Sequence, residues 1–169
     1  DSLNASLGER LLCLYAKDLI NQGHSAKEIF EKLEEAKYKI NYLAVVNTPE
    51  YLKKGGRVSA AAAFAGELLS IKPVASVYDG VVNIIGKPIG IRKACKFVNN
   101  QIEKLGGINF EMPYGVIYSG NEDSILQKYL KNSKELFEQG DKLKKYVLGS
   151  TIGSHIGPGA FGVAFFDKE

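Results

Sequence analysis

The sequence predicts an α/β domain: a six-stranded mixed sheet packed by helices, arranged in two layers. Three observations support this. Stretches with apolar residues three and four apart read as helices, and short runs rich in Val, Ile, Tyr and Phe read as strands. The two kinds of segment are mixed along the chain, which suits a sheet with helices stacked on it. One pair of strand-like runs is separated by only Asp79-Gly80, a two-residue turn that forces an antiparallel pair.

The elements follow in order. Residues 4–22 read as a helix, with Asn4 or Ser6 as cap and Leu7, Leu11, Leu14 and Leu19 near helical spacing. Leu12, Tyr15 and Ile20 widen that stripe, and Gly23 ends it. Ser25 opens a second helix and Glu28 completes a capping box. Ile29, Leu33, Ala36 and Ile40 form its face. Tyr42 to Thr48 is a strand, and Pro49 to Lys54 a short helical turn stopped by Gly55-Gly56. Ser59 to Leu69 is alanine-rich and helical. Lys72 to Tyr78 and Val81 to Ile85 form the hairpin. Ile91, Ala94, Cys95, Val98, Ile102 and Leu105 mark a one-faced helix. Tyr114 to Ser119 is a strand, and Ile125 to Phe137 a helix. Lys144 to Leu148 and Ala160 to Phe166 are the last two strands.

Composition excludes several classes. The chain has 169 residues, 45% hydrophobic and 24% charged, enough apolar surface for a folded core in one domain. A net charge of +3 is too small to point to nucleic acid or an acidic membrane surface. The longest apolar run, Ala60 to Ala65, is far short of the ~18 residues of a transmembrane helix. No signal-peptide pattern opens the chain. It begins at Asp1 without a methionine, as expected of a processed or trimmed chain, or of one cut from a longer protein. Cys13 and Cys95 make no disulfide framework and read as two small buried hydrophobes in a reducing compartment. His24 and His155 lie in unrelated contexts and there is no Cys-x-x-Cys, so no metal site is expected. His24 follows a helix-ending glycine and reads as a solvated cap residue.

Two segments stand out chemically. In Glu50-Tyr51-Leu52-Lys53-Lys54-Gly55-Gly56-Arg57-Val58-Ser59, two glycines let the backbone turn just before an arginine. Arg57 either aims its guanidinium fork at a carboxylate or phosphate, or is a solvated residue after a helix cap. The second segment runs Gly149-Ser150-Thr151-Ile152-Gly153-Ser154-His155-Ile156-Gly157-Pro158-Gly159-Ala160-Phe161-Gly162 between two apolar strands. As a loop, its glycines, among them Gly153, Gly157 and Gly159, would let backbone amides approach a ligand. Ser154 and His155 would stand at its apex. The alternative is a structural loop with a satisfied histidine. No Walker or dinucleotide fingerprint is present.

Together these segments resemble the DegV family. Thr48 to Ser59 is similar to the family's most recognisable segment, and Ser154-His155-Ile156-Gly157-Pro158-Gly159-Ala160 to its C-terminal His-x-Gly-Pro-Gly signature. Asp1-Ser2 with Ser6-Leu7-Gly8, Ile71-Lys72-Pro73, Asp79-Gly80 and Arg92-Lys93-Ala94 also match. The resemblance covers essentially the whole chain. It departs at Ile156, where many relatives have threonine, and at Lys87-Pro88-Ile89-Gly90, where a more basic segment is common.

The resemblance implies the C-terminal domain, residues 1–169, of a two-domain cytoplasmic fatty-acid-binding protein whose N-terminal α/β domain is absent from this chain. It implies no enzyme and no cofactor. A long-chain fatty acid would lie with its carboxylate at the domain boundary and its tail in an apolar tunnel. A fatty acid kinase would act on the presented acid to form an acyl phosphate. Arg57 and His155 carry over as site residues, with Ser154, Gly153, Gly157 and Gly159 beside them. The family's N-terminal hydroxyls, which help hold the carboxylate, have no counterpart here. Three other readings stay open: an anion-binding regulatory module without lipid, a hydrolase using His155 as base with a nearby serine, and a purely structural domain.

Overall fold

The computed structural model describes residues 1–56, 70–138, 140 and 143–168. Helix α1 spans Leu7–Asn21 and α2 Ala26–Ala36, followed by a 3-10 turn at Lys37–Lys39. Strand β1 is Ile40–Val45, α3 Glu50–Lys54, β2 Val74–Tyr78 and β3 Val81–Gly86. Then come α4 (Ile91–Lys104), β4 (Gly115–Tyr118), α5 (Ser124–Asn132), α6 (Lys134–Phe137), β5 (Lys144–Val147), α7 (Ser150–Ile156) and β6 (Phe161–Phe166). All six strands form near where the sequence places them, but β1 begins two residues early and takes Ile40, which was expected on the face of the second helix. The helix expected at Ser59 to Leu69 lies outside the described residues.

Local chemistry explains most boundaries. Ser6 is the N-cap of α1, at φ 56° and without a side-chain capping bond. Gly23, at φ 86°, takes the left-handed conformation that ends α1, and the His24 amide donates to the Leu19 carbonyl. The capping box of α2 is present: Glu28 accepts from the Ser25 amide at 2.8 Å, and Ser25 Oγ accepts from the Glu28 amide at 3.4 Å. Asp79 and Gly80, at φ 50° and 74°, make the two-residue turn whose twist matches the β2–β3 hairpin. The single helix expected from Ile125 to Phe137 is instead two, α5 and α6, interrupted at Ser133. Ser133 is buried, and its hydroxyl exchanges hydrogen bonds with the Asn99 amide at 3.0 and 3.1 Å, tying the break to α4.

The sheet order is β3-β2-β1-β6-β4-β5. Every pair is antiparallel except β4–β5, so the sheet is mixed. Helices cover both of its faces, which corrects the expected two layers to three. On one face, Leu43, Val45, Val74, Val116, Val163 and Phe165 pack against α4, α5 and α6 through residues such as Val98, Ile102, Leu126 and Tyr129. On the other, Tyr42, Ala44, Ile117, Ala164 and Phe166 pack against Leu7, Leu11 and Leu12 of α1 and Ala36 of α2. The physical reason lies in the central strands. Phe161 to Phe166 is buried at every position, and an unbroken apolar run marks a strand covered on both sides. Each fully buried Leu or Phe contributes about 1.5–3 kcal/mol, so these two cores hold the helices to the sheet.

Cys95 sits in the first core and is buried, as expected, whereas Cys13 is exposed on α1. Helix α1 shows its wide stripe only in part: Leu7, Leu11, Leu12 and Leu19 are buried, while Ile20 is exposed.

Candidate functional site

Strand β1 ends, and β2 and β6 begin, along one edge of the sheet: Val45 pairs with Val74 and with Phe161. The end of β4 joins them there, with Tyr118 opposite Phe161. The chain leaving this edge after β1 becomes α3. The chain arriving before β6 is α7 and the turn behind it. The two segments singled out in the sequence therefore meet, although about a hundred residues separate them.

Their contact is reciprocal. The His155 imidazole lies directly against the backbone of Gly55, so that a Cβ at residue 55 would overlap its Nδ1. The Tyr51 ring lies in the same way against Gly157, which takes φ 77° to end α7. Each aromatic ring occupies the space where the opposing glycine has no side chain. His155 is half-buried, and its Nδ1 is wholly buried with no hydrogen-bond partner among the described residues.

The Gly149–Gly162 segment is not an open loop, as the sequence reading had it. Residues Ser150–Ile156 form the two-turn helix α7. Ser154 and His155 thus stand in its last turn rather than at an apex. Ser154 is exposed and its hydroxyl donates to the Thr151 carbonyl at 2.9 Å. The glycine amides expected to approach a ligand are engaged internally. Gly153 donates to Gly149, Gly157 to Gly153 and Gly159 to Ser119, at 2.8–2.9 Å. What these glycines provide is close approach: Gly157 to Tyr51, and Gly159, at φ 75°, to Asn47 and Ile125. Gly153 faces the Ser119 hydroxyl. Arg57 lies outside the described residues.

Several residues of this region escaped the sequence reading. Ser119, buried at the end of β4, bonds both ways to the Pro158–Ala160 turn, donating from its amide to Ala160 and accepting from Gly159. Asn47 touches Pro158 and Gly159, and Lys72 donates to Asn47. Desolvation holds the Lys72 ammonium below the usual lysine pKa. A polar cleft of about 330 Å³ opens beside the turn, lined by Asn47, Ser119, Asn121, Ser124 and Gly159 among others. A larger hollow of about 770 Å³ lies at the opposite edge of the sheet, between Tyr15, Phe110, Met112 and Phe166. It contains none of the candidate residues, and its rim mixes lysines with carboxylates, so size alone does not locate the site. Among the described residues, no cluster of His, Cys, Asp and Glu could hold a metal ion. No described helix is long and apolar enough to cross a membrane.

A mixed six-stranded sheet, helices on both faces and interlocked Gly-Gly and His-x-Gly-Pro-Gly segments define the class of this domain. The chain belongs to the DegV family: the family model, described as "Uncharacterised protein, DegV family", matches residues 1–168. A DegV domain-containing protein of Clostridium perfringens is 34% identical over 98% of this chain and 56% of its own length. The structure reported as fatty acid binding of a DegV family protein from Thermus thermophilus is 28% identical, with a TM-score of 0.79 over 99% of this chain and 60% of that one. The Streptococcus pneumoniae Fatty Acid Kinase (Fak) B3 protein loaded with linoleic acid shares the fold, at 24% identity and a TM-score of 0.81, over 99% of this chain and 59% of that one. The chain therefore spans less than two thirds of the length of these relatives.

Proposed function

We propose that this domain forms one half of a fatty acid site in a non-enzymatic carrier, with His155 at the carboxylate. The observation that carries the reading is Nδ1 of His155, buried where α3 meets α7 and without a hydrogen-bond partner among the described residues. Buried polar atoms without partners are rare in native proteins and mark places built for more than stability. In the neutral imidazole with its proton on Nε2, Nδ1 keeps only a lone pair against Gly55, and Nε2–H is the donor offered to a ligand. A carboxylate entering beside Ile152 and Ile156 loses water and needs such donors. The fatty acid binding reported for the Thermus thermophilus relative supports this choice of ligand.

The remaining donors would come from Arg57 and from a preceding α/β domain, consistent with the greater length of the relatives. The bound acid would then be presented to a fatty acid kinase for acyl phosphate formation, in the cytoplasm. The hydrolase alternative is weakened because the Ser154 hydroxyl is engaged by the Thr151 carbonyl.

The test is an oleate titration and a melting curve on the same variant, His155→Ala, in the protein that also carries the proposed preceding domain. A hydrogen bond to a charged acceptor is worth about 1.5–3 kcal/mol, so binding should weaken roughly ten- to a hundredfold. The melting temperature should change little. Unchanged binding with a lowered melting temperature would make His155 a structural residue and refute the proposal.

A further inference from the structure

Beyond Val45 the chain leaves the β1 ladder, and Asn47 is held from the side. The Lys72 ammonium donates to the Asn47 main-chain carbonyl at 2.7 Å and to its Oδ1 at 2.9 Å. Asn47 Nδ2 in turn donates to the Pro158 carbonyl at 3.5 Å. The same Nδ2 stands 2.9 Å from where a Cβ on Gly159 would be, so the amide packs tightly on the turn.

The chemistry of these groups gives the contact a direction. An ammonium has donors and no acceptor. It therefore holds Oδ1 toward itself and leaves Nδ2 facing Pro158. Without the ammonium only the long Nδ2 bond to the Pro158 carbonyl, at 3.5 Å, holds the amide in that orientation. A flip would set Oδ1 against the Pro158 carbonyl oxygen, acceptor against acceptor. Bonds from an ionised donor are also stronger than neutral ones, so Lys72 is the member that decides the orientation.

Asn47 lies between the two halves of the candidate site. It is followed by Thr48-Pro49, which open α3 and so place Tyr51 and Gly55. It touches the Pro158–Gly159 turn, which follows His155. We propose that Lys72 is a positioning residue: by orienting the Asn47 amide it holds α3 and the Pro158–Gly159 turn in the register that seats His155 on Gly55. This rests on the reading of His155 as the carboxylate residue, and the test separates the two.

The experiment uses Lys72→Met and Asn47→Asp, alone and together, with Lys72→Arg as the conservative variant. Asn47→Asp keeps the shape and the acceptor for Lys72 but removes the donor to Pro158. Imidazole signals are followed by NMR in protein labelled at histidine, where the distant His24 serves as an internal control. Oleate binding and melting temperature are measured on the same samples. Each single variant should shift the His155 signals and leave those of His24 in place, and should weaken oleate about tenfold. The double variant should be no worse than the weaker single one, because both act through one linkage. Lys72→Arg should return the His155 signals toward their original positions. His155 signals that stay unmoved while only the melting temperature falls would overturn the proposal, as would losses that add in the double variant. Should the protein that also carries the proposed preceding domain not bind oleate, the fatty acid reading fails, and the His155 signals still decide the role of Lys72.

Discussion

The imidazole of His155 and the backbone of Gly55 are in direct contact, with Nδ1 over the position where any other residue would carry its Cβ. The Tyr51 ring and Gly157 repeat the arrangement between the same two helices. Two short helices, each with little stability of its own, are thus held by rings seated on bare backbone. Any side chain at residue 55 or 157 enters that contact.

The first prediction is that Gly55→Ala displaces the His155 ring. Overpacking of this kind costs about 1–3 kcal/mol, so the melting temperature should fall by several degrees. Ligand binding should weaken about as much as in His155→Ala. Combining the two substitutions should weaken binding little further, since the ring is already lost. Oleate titration of the three variants checks this, and an alanine that leaves binding intact would show that the ring can tilt away at no cost.

Gly157→Ala should be the more damaging of the paired glycine changes. Residue 157 has φ 77° and its missing Cβ faces the Tyr51 ring, so strain and overlap act together. Left-handed backbone costs a non-glycine residue about 1 kcal/mol or more, and the overlap adds to it. Tyr51→Ala should relieve the overlap but not the backbone strain. Denaturant melts of the single and double variants measure that partial rescue.

If the bound acid is presented to a fatty acid kinase as proposed, Arg57→Ala should impair its phosphorylation while the fold persists. Arg57→Lys should restore only part of the rate, because an ammonium lacks the planar fork that pairs with an anion. A coupled kinase assay with a circular dichroism control measures both. Normal phosphorylation by the alanine variant would make Arg57 a solvated residue after the α3 cap.

Cys95 should give the fold an alkaline limit. Burial pushes its thiol up to about 11, from 9.0. The native state then keeps a proton that the unfolded chain releases, so stability is unaffected below pH 9 and falls as pH rises toward 11. Two units correspond to about 2–3 kcal/mol. Cys95→Ala should flatten this decline while lowering stability at neutral pH through the small cavity it leaves. The exposed Cys13 should react with a thiol reagent at once, and Cys95 only on unfolding. Fast reaction of both thiols in the native protein would contradict the burial of Cys95.

The Asn99–Ser133 pair offers a further test of the helix break. Ser133→Ala leaves the buried side of the Asn99 amide unpaired, at a cost of about 1–3 kcal/mol. Asn99→Ala should cost less in combination with it than the sum of the two alone, since each has by then lost its partner. Thermal melts of the two single variants and the double variant give the coupling directly.

The amino-acid sequence by itself determined what depends on neighbours along the chain. Strand positions followed from β-branched and aromatic runs, the hairpin from Asp79-Gly80, the α2 cap from Ser25 and Glu28. The unbroken apolar run Phe161 to Phe166 even carried the signal for helices on both faces, although only the packed sheet makes that plain. The family was legible too, because its signatures are local. Tertiary structure decided the rest, for a definite reason: a glycine in a sequence says that space or a positive φ is needed, not what fills the space. That Gly55 makes room for His155 and Gly157 for Tyr51 depends on the strand register that brings Val45 opposite Phe161. The turn of helix at Ser150–Ile156, in a glycine-rich stretch with weak helix propensity, depends on α3 packing against it. The burial of Ser119 and the hold of Lys72 on Asn47 likewise join residues far apart in the chain, which only the assembled sheet edge brings within bonding distance.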